Sequence, residues 1–389
     1  MQNKQYDIVI IGAGIVGAAS ALAFAKTDLK IAILNQQSLI TEVDETIDLR
    51  TSAINLASRD LLQEIGVWPT IESLRLSAYD KMTVWDKEGS IHFDCAEIGE
   101  AHLGFIIENK IMQVALNKQI QSAKNIDYLT LTPQALYTYQ ENIVLLLSDH
   151  SKLQTKLVIG ADGANSWLRQ AAGIKLIERS YEQVAIIANV KTENPHQQTA
   201  WQHFTPTGPV AFLPLQNQHI CSIVWSCETK CAETLLALDP KNFIYALNQA
   251  FEDKLGQLEL ISKRKSFSLI MRHAKSYVAP RIVLLGDALH TIHPLAGLGL
   301  NLGLKEVACL IELIKKSIKM RQDYGAYYQL LKFERARKQV NSSVLFAMQG
   351  FKQLFANESL SWLRNEGLKL TNRSTLLKKF IFQRAAFLN

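Results

Sequence analysis

Tyr6-Asp7-Ile8-Val9-Ile10-Ile11-Gly12-Ala13-Gly14-Ile15-Val16-Gly17 is the stretch on which the fold turns. Residues 6–11 form an apolar, β-branched run, which reads as a strand buried in a parallel sheet. Glycines follow at once, then a strong helix former from Ala18 to Lys26, then a second apolar run, Lys30–Leu34. Strand, turn, helix and strand within about 30 residues is the setting of a dinucleotide-binding turn. In that setting Gly12 permits the tight turn, Gly14 lets the backbone approach a diphosphate, and Gly17 lets helix and strand pack closely. The helix N-terminus favours the phosphate charge. One position departs from the pattern. The residue expected to accept from the ribose at the end of the second strand is a carboxylate, and here it is Asn35. A neutral acceptor is weaker than a charged one, so Asn35→Glu is expected to tighten binding.

Working outward, two more apolar runs end in turns of related character. Lys156-Leu157-Val158-Ile159-Gly160 runs into Gly160-Ala161-Asp162-Gly163, with Arg169 following on a helix. Arg281-Ile282-Val283-Leu284-Leu285-Gly286 runs into Asp287, and Pro294-Leu295-Ala296-Gly297-Leu298-Gly299-Leu300-Asn301 then leads into a helix over 300–316. A carboxylate at a strand end, Asp287, suits the ribityl hydroxyls of a flavin. A helix starting near Gly299 aims its N–H groups at the pyrimidine oxygen, where charge collects on reduction. In this order and spacing the three segments indicate an FAD-holding oxidoreductase.

With these residues in place the chain resembles the FAD-dependent aromatic hydroxylases, and within them the ubiquinone-biosynthesis hydroxylases, almost from end to end. The resemblance includes Asp48-Leu49-Arg50-Thr51-Ser52-Ala53-Ile54-Asn55, where Arg50 matches the arginine that meets the flavin. It includes Leu103-Gly104-Phe105-Ile106-Ile107-Glu108-Asn109-Lys110 at a helix start, and the turn holding Asp162 and Gly163. Residues 201–209 and 211–215 look most like the branch that acts late on the quinol ring, the demethoxyubiquinol step. The late motif reads Ala296-Gly297-Leu298-Gly299, with Leu298 where the family has glutamine. The resemblance implies FAD reduced by NAD(P)H or another electron donor, O2 as co-substrate, and hydroxylation of a polyprenyl quinol or phenol through a flavin C4a-hydroperoxide. It also implies backbone roles for Gly297, Gly299, Leu300 and Asn301 at the flavin, and a Pro294 that shapes the cavity. No residue stands out as a general base, and no second dinucleotide fold is present to hold the reductant. Two other readings share the flavin: a dehydrogenase or reductase of a quinone or isoprenoid, and a non-catalytic flavoprotein organising a biosynthetic complex.

The expected fold class is α/β: a discontinuous Rossmann-like FAD-binding lobe, an antiparallel β-sheet substrate lobe, and C-terminal helices. Residues 1–75, 102–178 and 266–345 are assigned to the FAD lobe, 76–101 and 179–265 to the substrate lobe, and 346–389 to a helical, basic segment. A chain of 389 residues is long for one core. No apolar run reaches the roughly 18–20 residues of a membrane span, and no signal peptide is read at the start. Five cysteines without a Cys-x-x-Cys pair suggest reduced, buried thiols. No metal site is expected; His290 and His293 lack a third ligand and read as loop residues near the flavin. Tyr79, Trp85, Trp201 and Trp225 are read by default as core packing. Val340 to Phe355 carries an apolar stripe at helical spacing. From Ser359 to Asn389 six basic residues (Arg364, Lys369, Arg373, Lys378, Lys379 and Arg384) face one acid, Glu366, so this tail carries +5 of the net +6. It reads equally as a helix docked on the protein itself and as a surface for an anionic membrane or other ubiquinone-biosynthesis proteins, not nucleic acid, which has no recognition motif here. The expected location is the cytoplasm, extending to the surface of the inner membrane.

Overall fold

The computed structural model describes residues 3–86, 89–291, 298–356 and 378–379. Among these, strands gather into three sheets. The eight-stranded sheet has a parallel centre in the order Ile282–Leu284, Lys152–Gly160, Asn3–Ile11, Ile31–Leu34 and Ile126–Leu129. Its central strands are buried along their apolar runs, Ile8–Ile11, Ile31–Leu34 and Leu157–Ile159, as expected of parallel strands covered on both faces. The helix Ile15–Ala25 is buried from Gly17 to Phe24 with no polar face. Its run of glycine and alanine permits that, since small side chains let it sit between the sheet and the helices Asn109–Ser122 and Leu298–Lys319.

The nine-stranded sheet runs His290–Thr291, Lys265–Ala274, Leu176–Thr192, Ile220–Glu228, Gly208–Pro214, Thr199–Thr205, Lys81–Trp85 and Ser90–Asp94, with Leu258–Leu260 also on Leu176–Thr192. It is antiparallel except where Thr199–Thr205 meets Lys81–Trp85. Period-2 alternation gives it two different faces. Ile186, Ala188, Val210, Phe212, Ile223 and Trp225 turn to a second core, which the helices Thr229–Ala237 and Pro240–Ala250 complete. Sequence patterning led to the antiparallel sheet and named neither of these two helices. Trp85, Trp201 and Trp225 belong to this core.

A small third sheet pairs Thr51–Ile54 and Ser77–Tyr79 with Gly104–Glu108. Two expected lobe boundaries shift accordingly. Ser77–Tyr79, assigned to the substrate lobe, pairs with Gly104–Glu108 instead. Residues 266–274 of the strand Lys265–Ala274 and His290–Thr291, assigned to the flavin lobe, belong to the nine-stranded sheet. Pairing partners lie up to about a hundred residues away in the chain, so local pattern carried no trace of either.

Candidate functional site

Register brings the three glycine-bearing turns together. Ile11, Gly160 and Leu284 are paired neighbours at the carboxyl edge of the parallel strands. The residues that follow continue the ladder: Gly12 N donates to the Leu34 carbonyl (2.9 Å), Ala161 N to Ile11 (2.8 Å) and Leu285 N to Gly160 (2.8 Å). Ligands of open α/β sheets bind at this edge. Gly12 has φ of 97°, and a Cβ there would stand 2.4 Å from the Ala161 carbonyl oxygen. A Cβ on Gly17 would stand 2.0 Å from the Gly12 oxygen. Gly14 is different: a Cβ there meets nothing within 4 Å. It caps the helix without a side chain, and no acid lies in the first turn. The free helix N-terminus and open space above Gly14 fit a diphosphate.

From Gly14 a cavity of about 850 Å³ extends between the sheets. Its lining includes seven of the residues singled out from sequence: Gly14, Arg50, Gly163, Asp287, Gly299, Leu300 and Asn301. Gly12, Gly17, Asn35 and Asp162 sit behind this wall. Asp162 accepts from Leu168 N (3.1 Å) and so holds the next helix; its other oxygen is buried without a partner among the described residues. Asn35 Oδ1 accepts from Ala13 N (3.4 Å), while its amide nitrogen donates to Gln37 O (3.0 Å) and Tyr128 Oη (2.9 Å). A carboxylate at 35 would lose both donations, which offsets the gain expected of Asn35→Glu. The Asn301 amide donates to Ala53 O (2.7 Å) and accepts from Asn55 N (3.0 Å), tying the helix to Thr51–Ile54. Pro294, Gly297 and His293 lie outside the described residues.

The far wall is the second face of the nine-stranded sheet. Ile187, Ala211, Leu213, Val224 and Phe267 line the cavity there. An antiparallel sheet with one packed face usually turns polar residues outward; this one sets these apolar side chains there, with Gln202 and Ser226 among them. Tyr79 joins the lining, and its ring lies over Gly104, where a Cβ would stand 2.8 Å from the hydroxyl. Burial pushes the Tyr79 hydroxyl up to about 12, so it stays protonated at ordinary pH.

Asp287 is exposed and lines the cavity. The surrounding protein raises its carboxyl above the ordinary range, and the charges of His290 and Arg50 pull the other way. Behind it lies a buried polar cluster. Glu306 accepts from Gly286 N (2.9 Å), from Asn341 Nδ2 (2.7 Å) and from His290 Nε2 (2.6 Å). His290 is thus a buried strand residue, 2% exposed, and not the loop residue expected from its sequence setting. Burial alone would lower its pKa; the Glu306 charge and hydrogen bond outweigh that and raise it. Glu306 is held low, against burial, by His290. Arg169, 4% exposed, donates to Ala288 O (2.9 Å) and Ala164 O (2.8 Å), joining the second turn to the third.

The FAD binding domain family matches residues 5–345 of the chain. The mitochondrial ubiquinone biosynthesis monooxygenase COQ6 of Danio rerio is 32% identical over 98% of this chain and 89% of its own. The 3-demethoxyubiquinol 3-hydroxylase of Escherichia coli K12 is 33% identical over 97% of this chain and 98% of its own. The chain belongs to the FAD-dependent ubiquinone-biosynthesis hydroxylases. The fold of this hydroxylase also matches the crystal structure of p-nitrophenol 4-monooxygenase PnpA from Pseudomonas putida DLL-E4, with a TM-score of 0.80 over 98% of this chain and 99% of the other. Identity is 16%, so that likeness concerns the fold alone.

Sequence reading reached one wall of the hydroxylase cavity only through the resemblance at Asn109 and Lys110, and passed over Gln113. Helix Asn109–Ser122 contributes Asn109, Lys110 and Gln113 to the lining. Gln113 Nε2 donates to Ala13 O (2.8 Å) and Asn117 Oδ1 (2.8 Å), and Asn117 Nδ2 donates to Ile40 O (2.8 Å). The signal was present: carboxamides at 109, 113 and 117, four apart, on a helix otherwise burying Ile111, Met112, Val114, Ala115 and Leu116.

Proposed function

We propose that the protein is a monooxygenase that hydroxylates the ring of a polyprenyl quinol or phenol, at the late demethoxyubiquinol step. The observation that carries this is the group of apolar side chains on the cavity face of the nine-stranded sheet. That face closes a cavity continuous with the dinucleotide cradle, so an apolar ring and the start of its isoprenoid chain fit beside the cofactor. The E. coli relative is named for that step. Bound and reduced, FAD supplies the activation of O2 and the electrophilic oxygen. The residues of the chain do the rest. Gly14 and the helix behind it seat the diphosphate, Asp287 takes the ribityl hydroxyls, and Arg50 faces the flavin. Ile187, Leu213 and Val224 exclude water from the reacting face. The reductant, NAD(P)H or another donor, is brought to this same cleft.

Tyr79 offers the ring a hydrogen-bond donor in that apolar wall. Tyr79→Phe is expected to leave flavin content unchanged and to weaken ring binding about fivefold, the effect of roughly 1 kcal/mol from one hydrogen bond. Because the hydroxyl is protonated throughout, the ratio of wild type to variant should be equal at pH 6 and pH 9. A ratio that grows with pH would show Tyr79 acting as a base.

Deleting the gene in its host and weighing the accumulated quinone intermediates tests the reaction itself. A species lacking one ring oxygen, restored to a product carrying label from ¹⁸O₂, is the expected result. Accumulation of an intermediate already bearing that oxygen would exclude the hydroxylase reading. A membrane-surface location is part of the proposal, since a polyprenyl substrate is nearly insoluble in water. No helix among the described residues is long and apolar enough to cross a membrane. Of the basic tail, Lys378 and Lys379 are described; Lys378 is 4% exposed, ion-paired with Glu97 and bonded to His92 O (3.2 Å). It therefore faces protein, and a lipid contact falls to the other basic residues.

A further inference from the structure

Glu108 is the N-cap residue of the Asn109–Ser122 helix, yet its side chain makes no capping hydrogen bond. The Glu108 side chain, 5% exposed, turns instead to the loop that enters the cavity. Its carboxylate takes a forked pair of bonds from Arg75, Nε at 2.8 Å and Nη2 at 3.1 Å, and a third from Asp48 N at 2.7 Å. The same guanidinium donates to the Asp44 carbonyl (3.0 Å) and the Thr46 carbonyl (3.3 Å). Asn109 N donates to Arg50 O (2.8 Å), and Ser52 Oγ donates to Asn109 Oδ1 (2.7 Å). Lys110 reaches Asp44 (2.7 Å), and Asn189, from the nine-stranded sheet, touches the carbonyls of Ile47 and Asp48 at 3.5 Å. Residues 44–52 have no regular structure before Thr51. Their path is set by these side chains, and the loop delivers Asp48, Leu49 and Arg50 to the cavity wall.

We propose that Glu108 and Arg75 are positioning residues for the flavin site: the buried fork fixes the 44–50 loop and so aims Arg50 at the cofactor. A charged fork suits the task, since guanidinium and carboxylate meet in one planar geometry, and the spare N–H groups reach two carbonyls of the loop at once. The inference rests on the reading that the cavity holds FAD.

Titration of full-length apoprotein with FAD, followed by flavin fluorescence, tests it in four proteins: wild type, Glu108→Gln, Arg50→Ala and the double variant. Glu108→Gln is expected to raise the FAD dissociation constant about tenfold in the wild-type background and less than about twofold in the Arg50→Ala background, the coupling of residues that act as one unit. Arg75→Lys keeps the charge opposite Glu108 and loses the fork, so it folds and should show the same dependence on Arg50. Equal losses in both backgrounds would mean a general loosening of the fold and would overturn the proposal. So would an Arg50→Ala protein that binds FAD like wild type while Glu108→Gln does not; the flavoprotein reading would survive that result. A wild type that takes up no FAD brings down that reading and the proposal together.

Discussion

Replacing Gly14 with valine yields folded, colourless protein, whereas replacing Gly17 with alanine yields a protein whose melting temperature is lowered by several degrees. The two glycines stand three residues apart in one motif, and the structure separates their tasks. At Gly14 a side chain enters open space at the uncapped helix N-terminus. Its backbone is extended, which any residue adopts, so the cost to folding is about 1 kcal/mol, that of an unfavourable N-cap residue. The space it fills is where the diphosphate seats. Overpacking there by about 3 kcal/mol corresponds to an affinity loss of roughly 100-fold or more. At Gly17 the smallest possible side chain would stand 2.0 Å from the Gly12 carbonyl oxygen, which the turn cannot move. The helix must leave the sheet, at about 3 kcal/mol or more out of a total stability of order 10. Thermal melts of the two apoproteins and their 450 nm absorbance after soaking in FAD check both halves. A yellow Gly14→Val protein would show that the diphosphate lies elsewhere.

Glu306→Ala is expected to cost about 3–5 kcal/mol, the penalty for breaking a buried ion pair by removing one partner. The loss strands His290, the Asn341 amide and Gly286 N at once. Charge linkage gives a second signature through the milder Glu306→Gln. In wild type the folded pKa of His290 lies above its ordinary 6.5. The stability it contributes is therefore fully present below that value and is lost as pH rises through the folded pKa. Glu306 lies below its ordinary 4.5, so its contribution is present above that value and is lost as pH falls through the folded one. With Glu306 neutral, burial governs His290 and drives its pKa down. Its stability term then rises with pH up to the ordinary value. His92 and His196, held low mainly by burial, act alike in both proteins; His273, also held low mainly by burial, is lowered further by a charged His290 and raised by Glu306, and loses both influences together. Denaturant unfolding from pH 5.5 to 8.5 should thus show a difference between wild type and Glu306→Gln that shrinks as pH rises. A constant difference would mean that His290 is neutral in the folded protein.

The parts of the site legible in sequence are those set by neighbours in the chain. Gly12, Gly14 and Gly17 could be read because a strand before and a helix after them give the turn its meaning, and Asp287 because it ends an apolar run. His290 was misplaced for the same reason. Its sequence neighbours describe a loop, while its partner Glu306 lies a helical segment away and Asn341 on another helix. Glu108 and Arg75 are 33 residues apart, and nothing local marks them as a pair.

The order of apolar runs and glycine turns by itself determined a parallel sheet with a dinucleotide cradle, because hydrophobic periodicity and backbone permissiveness are properties of short segments. Tertiary structure alone decided which turns converge, which face of the second sheet closes the cavity, and which buried carboxylates, Glu108 and Glu306, bond the backbone near Arg50 and Asp287. Those outcomes depend on strand register and on contacts between residues far apart in the chain, whose energies exist only once the segments have packed.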